Sequence, residues 1–462
     1  MARRLSLPVA AAAPLLAACV GALGGPGGNA GHATPRPASA AALAADYRAF
    51  LDDGRTAARA VAHAVAGAPS FRRVDLLSGE PSASPGDRLV FVDRDRTAIF
   101  VIVGKRSVAD GGARLIGTHI DTPAPQLATT DIGRDDQLSL HAGRYGGIKL
   151  YNWLHRPLAV VGQVIARGGR VVDVDLGVAP GDDFALWATA VDGDGNMTVV
   201  AGSTPPGDGA TAAPTLVSEL HRRYQLTGPD LAAAELYLVP REGSREVGLD
   251  RALIGAHGQD DRASSYLAWR AALDVTGTPE RTIIVWLTDR EEVGSTGATG
   301  AASGVLELAY AWLLRAAGAP ASESALARAL AETTALSADT PACLEANWPE
   351  VHEPSAAPLL GRGPAVFPFT GSRGKDGGSA ARAELVGALL ASLRRARVPF
   401  QTGELGRVDE GGGGTIADDF ARRGIDTIDV GLCVASLHTP LELISVQDLW
   451  STYRAYLHWL TE

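Results

Sequence analysis

The stretch Thr282-Ile283-Ile284-Val285-Trp286-Leu287-Thr288-Asp289-Arg290-Glu291-Glu292-Val293-Gly294-Ser295 decides how the rest of the chain is read. Ile283 to Leu287 is an unbroken apolar run of mostly β-branched and aromatic residues, as expected of a strand. Glu291 and Glu292 follow where that strand opens into a turn at Gly294. Neighbouring carboxylates in such a place can divide the work, one binding a metal ion while the other handles a proton on water held there. A glutamate pair alone is commonly solvated charge, so its weight depends on what else the chain supplies.

Other ligand types stand at comparable places. His119-x-Asp121 follows the strand-like Arg114 to Thr118, with an imidazole for a cation and a carboxylate to orient it. Asp260-Asp261 occupies a Gly-x-Asp-Asp turn ahead of a helical segment, where one carboxylate could bridge two ions. Asp339 follows Ala335 to Ala338, and His438 follows the strand ending near Cys433. Each lies near the C-terminal end of a strand, the edge on which open α/β sheets build their sites. Isolated, each is usually a turn or capping residue. Together they offer the nitrogen and oxygen ligands that a pair of divalent ions requires.

The surrounding segments alternate in kind. Leu89 to Val92 and Thr97 to Val103 flank Asp93 to Arg96 as a hairpin, and Leu236 to Val239 and Thr427 to Leu432 are further strands. Residues 41–67, 263–275, 304–316, 379–395 and 445–460 are helical by pattern, with Gly54 a break in the first. The alternation predicts an α/β fold, a sheet covered by helices. Between them, Leu158 to Ala166, Arg170 to Leu176 and Phe184 to Val191 are short strands separated by Gly and Asp, which predicts an inserted β-rich domain over 127–235. The catalytic domain then comprises 41–126 and 236–462.

With 462 residues, 46% of them hydrophobic, the chain can bury a large core. A net charge of −10 argues against a nucleic-acid partner. Asp192-Gly193-Asp194-Gly195-Asn196 lacks the glycine and glutamate of a calcium loop and reads as a hairpin turn. Gly411 to Gly414 lacks the Lys-Ser/Thr of a phosphate loop. The absence of a Gly-x-Ser-x-Gly elbow weakens a serine-hydrolase reading. His141, His155, His257 and His352 read as packing or surface residues.

The ordered motifs resemble those of the aspartyl aminopeptidase family of co-catalytic zinc metallopeptidases. The resemblance rests on Gly117 to Pro123, Tyr145-Gly146-Gly147 with Trp153 to Leu158, Asp260 to Ser264, Asp289 to Ser295, Leu336 to Asp339 and Asp426 to His438, and spans roughly residues 45–460. It implies a mixed β-sheet sandwiched by helices, of the zinc-exopeptidase kind, with an insertion for dimerisation and chamber closure. It implies an aminopeptidase releasing single N-terminal residues from peptides, with two divalent ions per subunit, Zn2+ in the first place and Co2+ or Mn2+ as alternatives. Asp260 would bridge the ions, His119 and Asp339 would complete one shell, and Glu292 and His438 the other. Glu291 would be the general base and Asp121 its catalytic support behind His119. The Asp260–Asp261 peptide would be cis, and the protein a homo-oligomer.

This chain departs from the family at Asp261, commonly an asparagine, at Thr340 to Cys343, commonly histidine-rich, and at Gly371 to Ser379. Arg373 or Lys375 in that last segment could pair with an acidic substrate side chain or be solvated loop charge. Two other readings remain open: a dinuclear amidohydrolase of broad specificity, and a non-catalytic peptide-binding lipoprotein on the same scaffold.

The chain opens with Arg3-Arg4 and an apolar run, Leu5 to Leu16, too short to span a bilayer comfortably. Leu16-Ala17-Ala18-Cys19 resembles a bacterial lipobox, which predicts a signal peptide over 1–19 and membrane attachment through lipid on Cys19. A plain signal peptide cut near the same alanines is the alternative. Either predicts an exported protein, in the cell envelope or secreted, with residues 20–40 as a flexible tether. Cys343 and Cys433 are expected as buried free thiols, although a disulfide is conceivable after export.

Overall fold

The computed structural model describes residues 36–77, 81–128, 139–178, 184–188, 197–200, 216–345, 348–373 and 377–462. The lipobox, Asp192 to Asn196 and Lys375 lie outside the described residues.

Thr282–Thr288 is a strand buried along its whole length. Its side chains alternate between two apolar layers: Ile283, Val285 and Leu287 enter one, Ile284 and Trp286 the other. A strand covered on both sides has no polar face, which is why its sequence shows no alternation. It sits inside a nine-stranded mixed sheet in the order Arg72–Val74, Arg88–Asp93, Thr97–Ile102, Thr282–Thr288, Ala113–His119, Thr334–Ser337, Asp426–Gly431, Ala365–Phe367, Gln401–Thr402. The hairpin expected around Asp93 to Arg96 is present, Arg88–Asp93 pairing antiparallel with Thr97–Ile102.

Helices cover both faces, as the alternation predicts. Ala40–Asp53, Gln259–Asp274, Ala383–Arg395 and Val446–Thr461 contribute to the first layer. Val305–Ala316, Glu323–Ala331 and Ala417–Arg422 contribute to the second. The first helix is capped by the Ser39 hydroxyl, which accepts from the Ala42 amide at 3.2 Å, and it stops at Gly54. The helix expected over 379–395 starts later, at Ala383, because Arg382 is still extended and Ala380 is bridged to Phe369.

A second, seven-stranded sheet runs from Ala124–Leu127 to Ala234–Pro240 and is antiparallel in all its pairings. It has its own apolar core, including Val160, Val164, Val174 and Leu236, covered in part by the helix Leu216–Tyr224.

The two thiols are not free. Cys343 and Cys433 form a disulfide. The backbone brings them together, the Cys343 amide donating to the Val434 carbonyl and the Val434 amide to the Pro341 carbonyl, both at 2.8 Å. A strand-like pairing between segments 90 residues apart in sequence is not visible in either segment alone.

Candidate metal centre

Ala113–His119, Thr282–Thr288, Thr334–Ser337 and Asp426–Gly431 are mutually parallel. Parallel register puts their C-terminal ends on one edge, where Thr288 stands opposite His119 and Ser337 opposite Gly117 and Asp429. Chain leaving that edge carries Asp121, Glu291, Glu292, Asp339 and His438. Asp260 arrives from the opening turn of the Gln259–Asp274 helix, where Gly258 has φ 81° and the Asp260–Asp261 peptide is cis.

The expected ligands meet. His119, Asp260 and Asp339 form one group and Asp260, Glu292 and His438 another, with candidate ligand atoms in each group all within 4.8 Å of one another. Asp260 belongs to both. Its Oδ1 lies 3.1 Å from His119 Nε2 and its Oδ2 lies 3.0 Å from His438 Nε2. Asp339 Oδ1 is 3.5 Å from His119 Nε2, and Glu292 Oε1 is 3.5 Å from His438 Nε2. Glu291 points into the same space with Oε2 3.9 Å from His119 Nε2.

This donor set fits divalent cations. Asp260, Glu291, Glu292 and Asp339 bring their carboxyl groups into one largely buried place beside the imidazoles of His119 and His438, a surplus of acidic groups that divalent cations would offset. Asp260 Oδ1 and Glu292 Oε1 are buried and accept no hydrogen bond among the described residues. Nitrogen and carboxylate oxygen together suit zinc and its neighbours.

The electrostatics point the same way. Burial, with Asp339, Asp121 and Asp260 nearby and His119 opposing, pushes Glu291 up to about 8. Burial also raises Glu292, where Asp260 adds to the effect and His438 opposes it. Burial works against a charged His438, but Glu292 and Asp260 outweigh it and hold the imidazole up at about 10. Burial likewise opposes a charged Asp260, yet His119 and His438 beside it keep that carboxyl below its ordinary range.

Further groups hold the candidate ligands in place. Asp121, only 4% exposed, accepts from the Glu291 amide at 3.2 Å and the Glu292 amide at 3.3 Å, and its Oδ1 is 3.3 Å from His119 Nδ1. His438 Nδ1 lies 3.1 Å from the Gly147 carbonyl, at the end of the second sheet. Gly146, with φ 71°, packs so close that a Cβ there would stand 3.2 Å from that of Glu292. Sequence reasoning missed Glu442. One of its oxygens accepts from the His438 amide at 2.7 Å and the other from the Gln259 amide at 2.7 Å and the Asp260 amide at 3.3 Å. A carboxylate in the apolar segment Leu441 to Ile444 was the available signal, since a buried acid needs donors. Of the other histidines, His352 is buried and lines the cavity below, and His257 stands edge-on to Trp153 with Nε2 2.9 Å from the Pro123 carbonyl.

A cavity of about 690 Å³ opens over the ligands. Phe367, Leu405, Leu437 and Val351 give it apolar walls, Thr370 and Thr415 hydroxyls, and Glu345 and Lys149 charges. Its size suits the end of a peptide rather than a whole folded chain.

Comparison with known proteins gives the family. Residues 70–178 and 195–459 match the profile of the aminopeptidase I zinc metalloprotease (M18) family. A probable M18 family aminopeptidase 1 from Thermotoga maritima is 37% identical over 362 residues, covering 75% of this chain and 80% of that protein. The crystal structure of an M18 family aminopeptidase from the same organism superposes with a TM-score of 0.82 at 33% identity, covering 91% of this chain and 96% of that one. The mApe1 dodecamer of S. cerevisiae shares the fold, with a TM-score of 0.70 at 20% identity over 90% of this chain and 95% of that one.

Proposed function

The chain belongs to the M18 family of aminopeptidase I zinc metalloproteases and is a zinc metalloaminopeptidase; from that premise we propose a two-metal site in which Glu291 is the general base. His119 and Asp339 would hold one divalent ion, Glu292 and His438 the other, and Asp260 both. The observation that carries this reading is the sharing of Asp260 between two ligand groups, with one oxygen near each imidazole. Bound there, two divalent ions supply Lewis acidity toward a scissile carbonyl and toward water. Glu291, at the cavity wall and belonging to neither group with Asp260, accepts the proton of the attacking water and returns it to the departing amine. Asp121 holds the Glu291 and Glu292 amides and so fixes where both carboxylates point.

A panel of aminoacyl anilides tests the reading on metal-loaded wild type and Glu291→Gln. Wild type should release the amine, and the variant should keep its metal while slowing by about 10²–10⁴-fold. Undiminished turnover in the variant would remove Glu291 from the role. Absence of turnover in loaded wild type would favour a binding protein, a reading that family membership and the complete ligand set oppose. The same panel separates an aminopeptidase from a broad amidohydrolase and ranks N-terminal residues.

Export belongs to the same proposal. A buried disulfide is the pairing expected in an oxidising compartment, and Leu16 to Cys19 offers a lipid-attachment sequence. A homo-oligomer is proposed as well: the related fold forms a dodecamer in mApe1. Here the edge strand Arg170–Leu176 leaves Val171 56% exposed beside Ile165, 42% exposed.

A further inference from the structure

The turn bearing Glu291 and Glu292 is held from behind by the second sheet at two points. At the first, the Tyr145 hydroxyl, at the end of the strand Ser139–Tyr145, donates to Asp121 Oδ2 at 2.7 Å. That is the oxygen accepting from the Glu292 amide, and its partner oxygen accepts from the Glu291 amide. At the second, Arg290, the residue immediately before the two glutamates, has φ 68° and pairs with Glu235 on the strand Ala234–Pro240. Glu235 is itself fixed, by Arg96 Nη2 at 3.0 Å and by the Tyr237 hydroxyl at 3.0 Å. Arg96 continues to Gln163 Oε1 at 2.7 Å, and Gln163 Nε2 to Asp173 Oδ1 at 2.8 Å, both on the second sheet. The two points touch each other, with the Arg290 guanidinium 5.8 Å over the Tyr145 ring and Tyr145 edge-on to Tyr237 at 5.4 Å.

None of Tyr145, Glu235 and Arg290 lines the substrate cavity. Glu235 and Arg290 reach the chemistry through the turn's backbone, and Tyr145 reaches it through Asp121, which holds the turn's amides and stands 3.3 Å from His119 Nδ1. A left-handed residue at 290 needs neighbours that define it, because the conformation is disfavoured for a side chain with Cβ. Those neighbours are Glu235, Tyr145 and Asp289, whose Oδ2 is 3.3 Å from Arg290 Nε.

We propose that Tyr145 and Glu235 are positioning residues through which the second sheet sets the placement of the Glu291 carboxylate. The inference rests on Glu291 being the base. The arrangement makes the placement of the Glu291 carboxylate, and with it turnover, depend on how the second sheet is seated. The contact most useful for comparison joins the same parts elsewhere: Arg59, on the helix Ala57–Ala66, pairs with Asp175 of the second sheet at 2.8 Å and touches no part of the turn.

The test measures kcat, KM, metal content and Tm for Glu235→Gln, Tyr145→Phe, Arg290→Gln, Arg290→Lys and Asp175→Asn in the full-length metal-loaded protein. Misplacing a reacting group by about 1 Å can cost about 10²-fold, so Glu235→Gln and Tyr145→Phe should each lower kcat by roughly 10- to 100-fold with KM and metal content at wild-type values. Arg290→Lys should recover part of what Arg290→Gln loses, and Asp175→Asn should lower Tm without lowering kcat. Wild-type kcat in Glu235→Gln and Tyr145→Phe would overturn the proposal. So would an equal loss in Asp175→Asn, since that would make any loosening of the two sheets sufficient. If Tyr145→Phe fails to fold, Glu235→Gln decides, its side chain being 24% exposed and replaceable without a cavity. Full activity in Glu291→Gln would instead sink the base assignment, an outcome separate from either of these.

Discussion

The two sheets divide the labour between them. In the nine-stranded sheet, parallel strands covered by helices on both sides gather their C-terminal ends on one edge, and every candidate ligand but Asp260 leaves from that edge. In the seven-stranded sheet every pairing is antiparallel, so successive strand ends alternate between edges and no such collection forms. What the second sheet contributes is backing: Gly147 carbonyl behind His438, Tyr145 behind Asp121 and Glu235 behind Arg290. One architecture concentrates chemistry and the other holds it in place.

Predictions that would break or sharpen this contrast run from large effects to small. Asp260→Ala should strip bound metal, measured by elemental analysis, and lose at least the ~10²–10⁴-fold attributed to a general base. Retention of two metals per chain would dissolve the shared-ligand arrangement on which the first sheet's role depends. Cys343→Ser with Cys433→Ser should lower stability by about 2–4 kcal/mol, read by denaturant unfolding. The bridge lies between the segments carrying Asp339 and His438, so metal affinity should fall with it, whereas a stability loss alone would separate the clamp from the site. Glu442→Gln should weaken metal binding or activity by about 10- to 100-fold, because it loosens His438 and Asp260 together. Wild-type affinity in that variant would show that the sheet edge orients its ligands unaided. Val171→Thr, on the exposed face of the second sheet, should change monomer stability by no more than about 0.5 kcal/mol. Light scattering on that variant should show a smaller assembly, and an unchanged particle would move the subunit contact elsewhere.

Much of the fold was legible because burial leaves a mark on composition. The run Ile283 to Leu287 is apolar throughout because both its faces are covered, and Leu89 to Val92 with Thr97 to Val103 declared a hairpin through the polar turn between them. The candidate ligand residues were legible for a related reason: His119, Glu292 and His438 occur at or shortly after strand ends, where the chain faces the open edge of a sheet. The cis peptide at Asp260 was implied by family resemblance alone and is present.

Glu442, Glu235 and the disulfide were not legible. Glu442 acts on Gln259 across 183 residues of sequence, and its own segment looks like any short strand. Glu235 matters because a strand of the second sheet passes behind Arg290, 55 residues away. Cys343 and Cys433 bond because the chain leaving Ser337 and the chain leaving Gly431 run side by side, which depends on strand order rather than on either segment.

The sequence by itself determined which segments become strands and helices and which side chains can bind a cation, because hydrophobic period and donor chemistry are local properties. Tertiary structure decided that Asp260 stands between two groups of candidate ligands, that a second sheet backs the turn bearing Glu291 and that two thiols become one bond. Each of those is a distance between residues far apart in the chain, and such distances exist only once strand order and register are fixed.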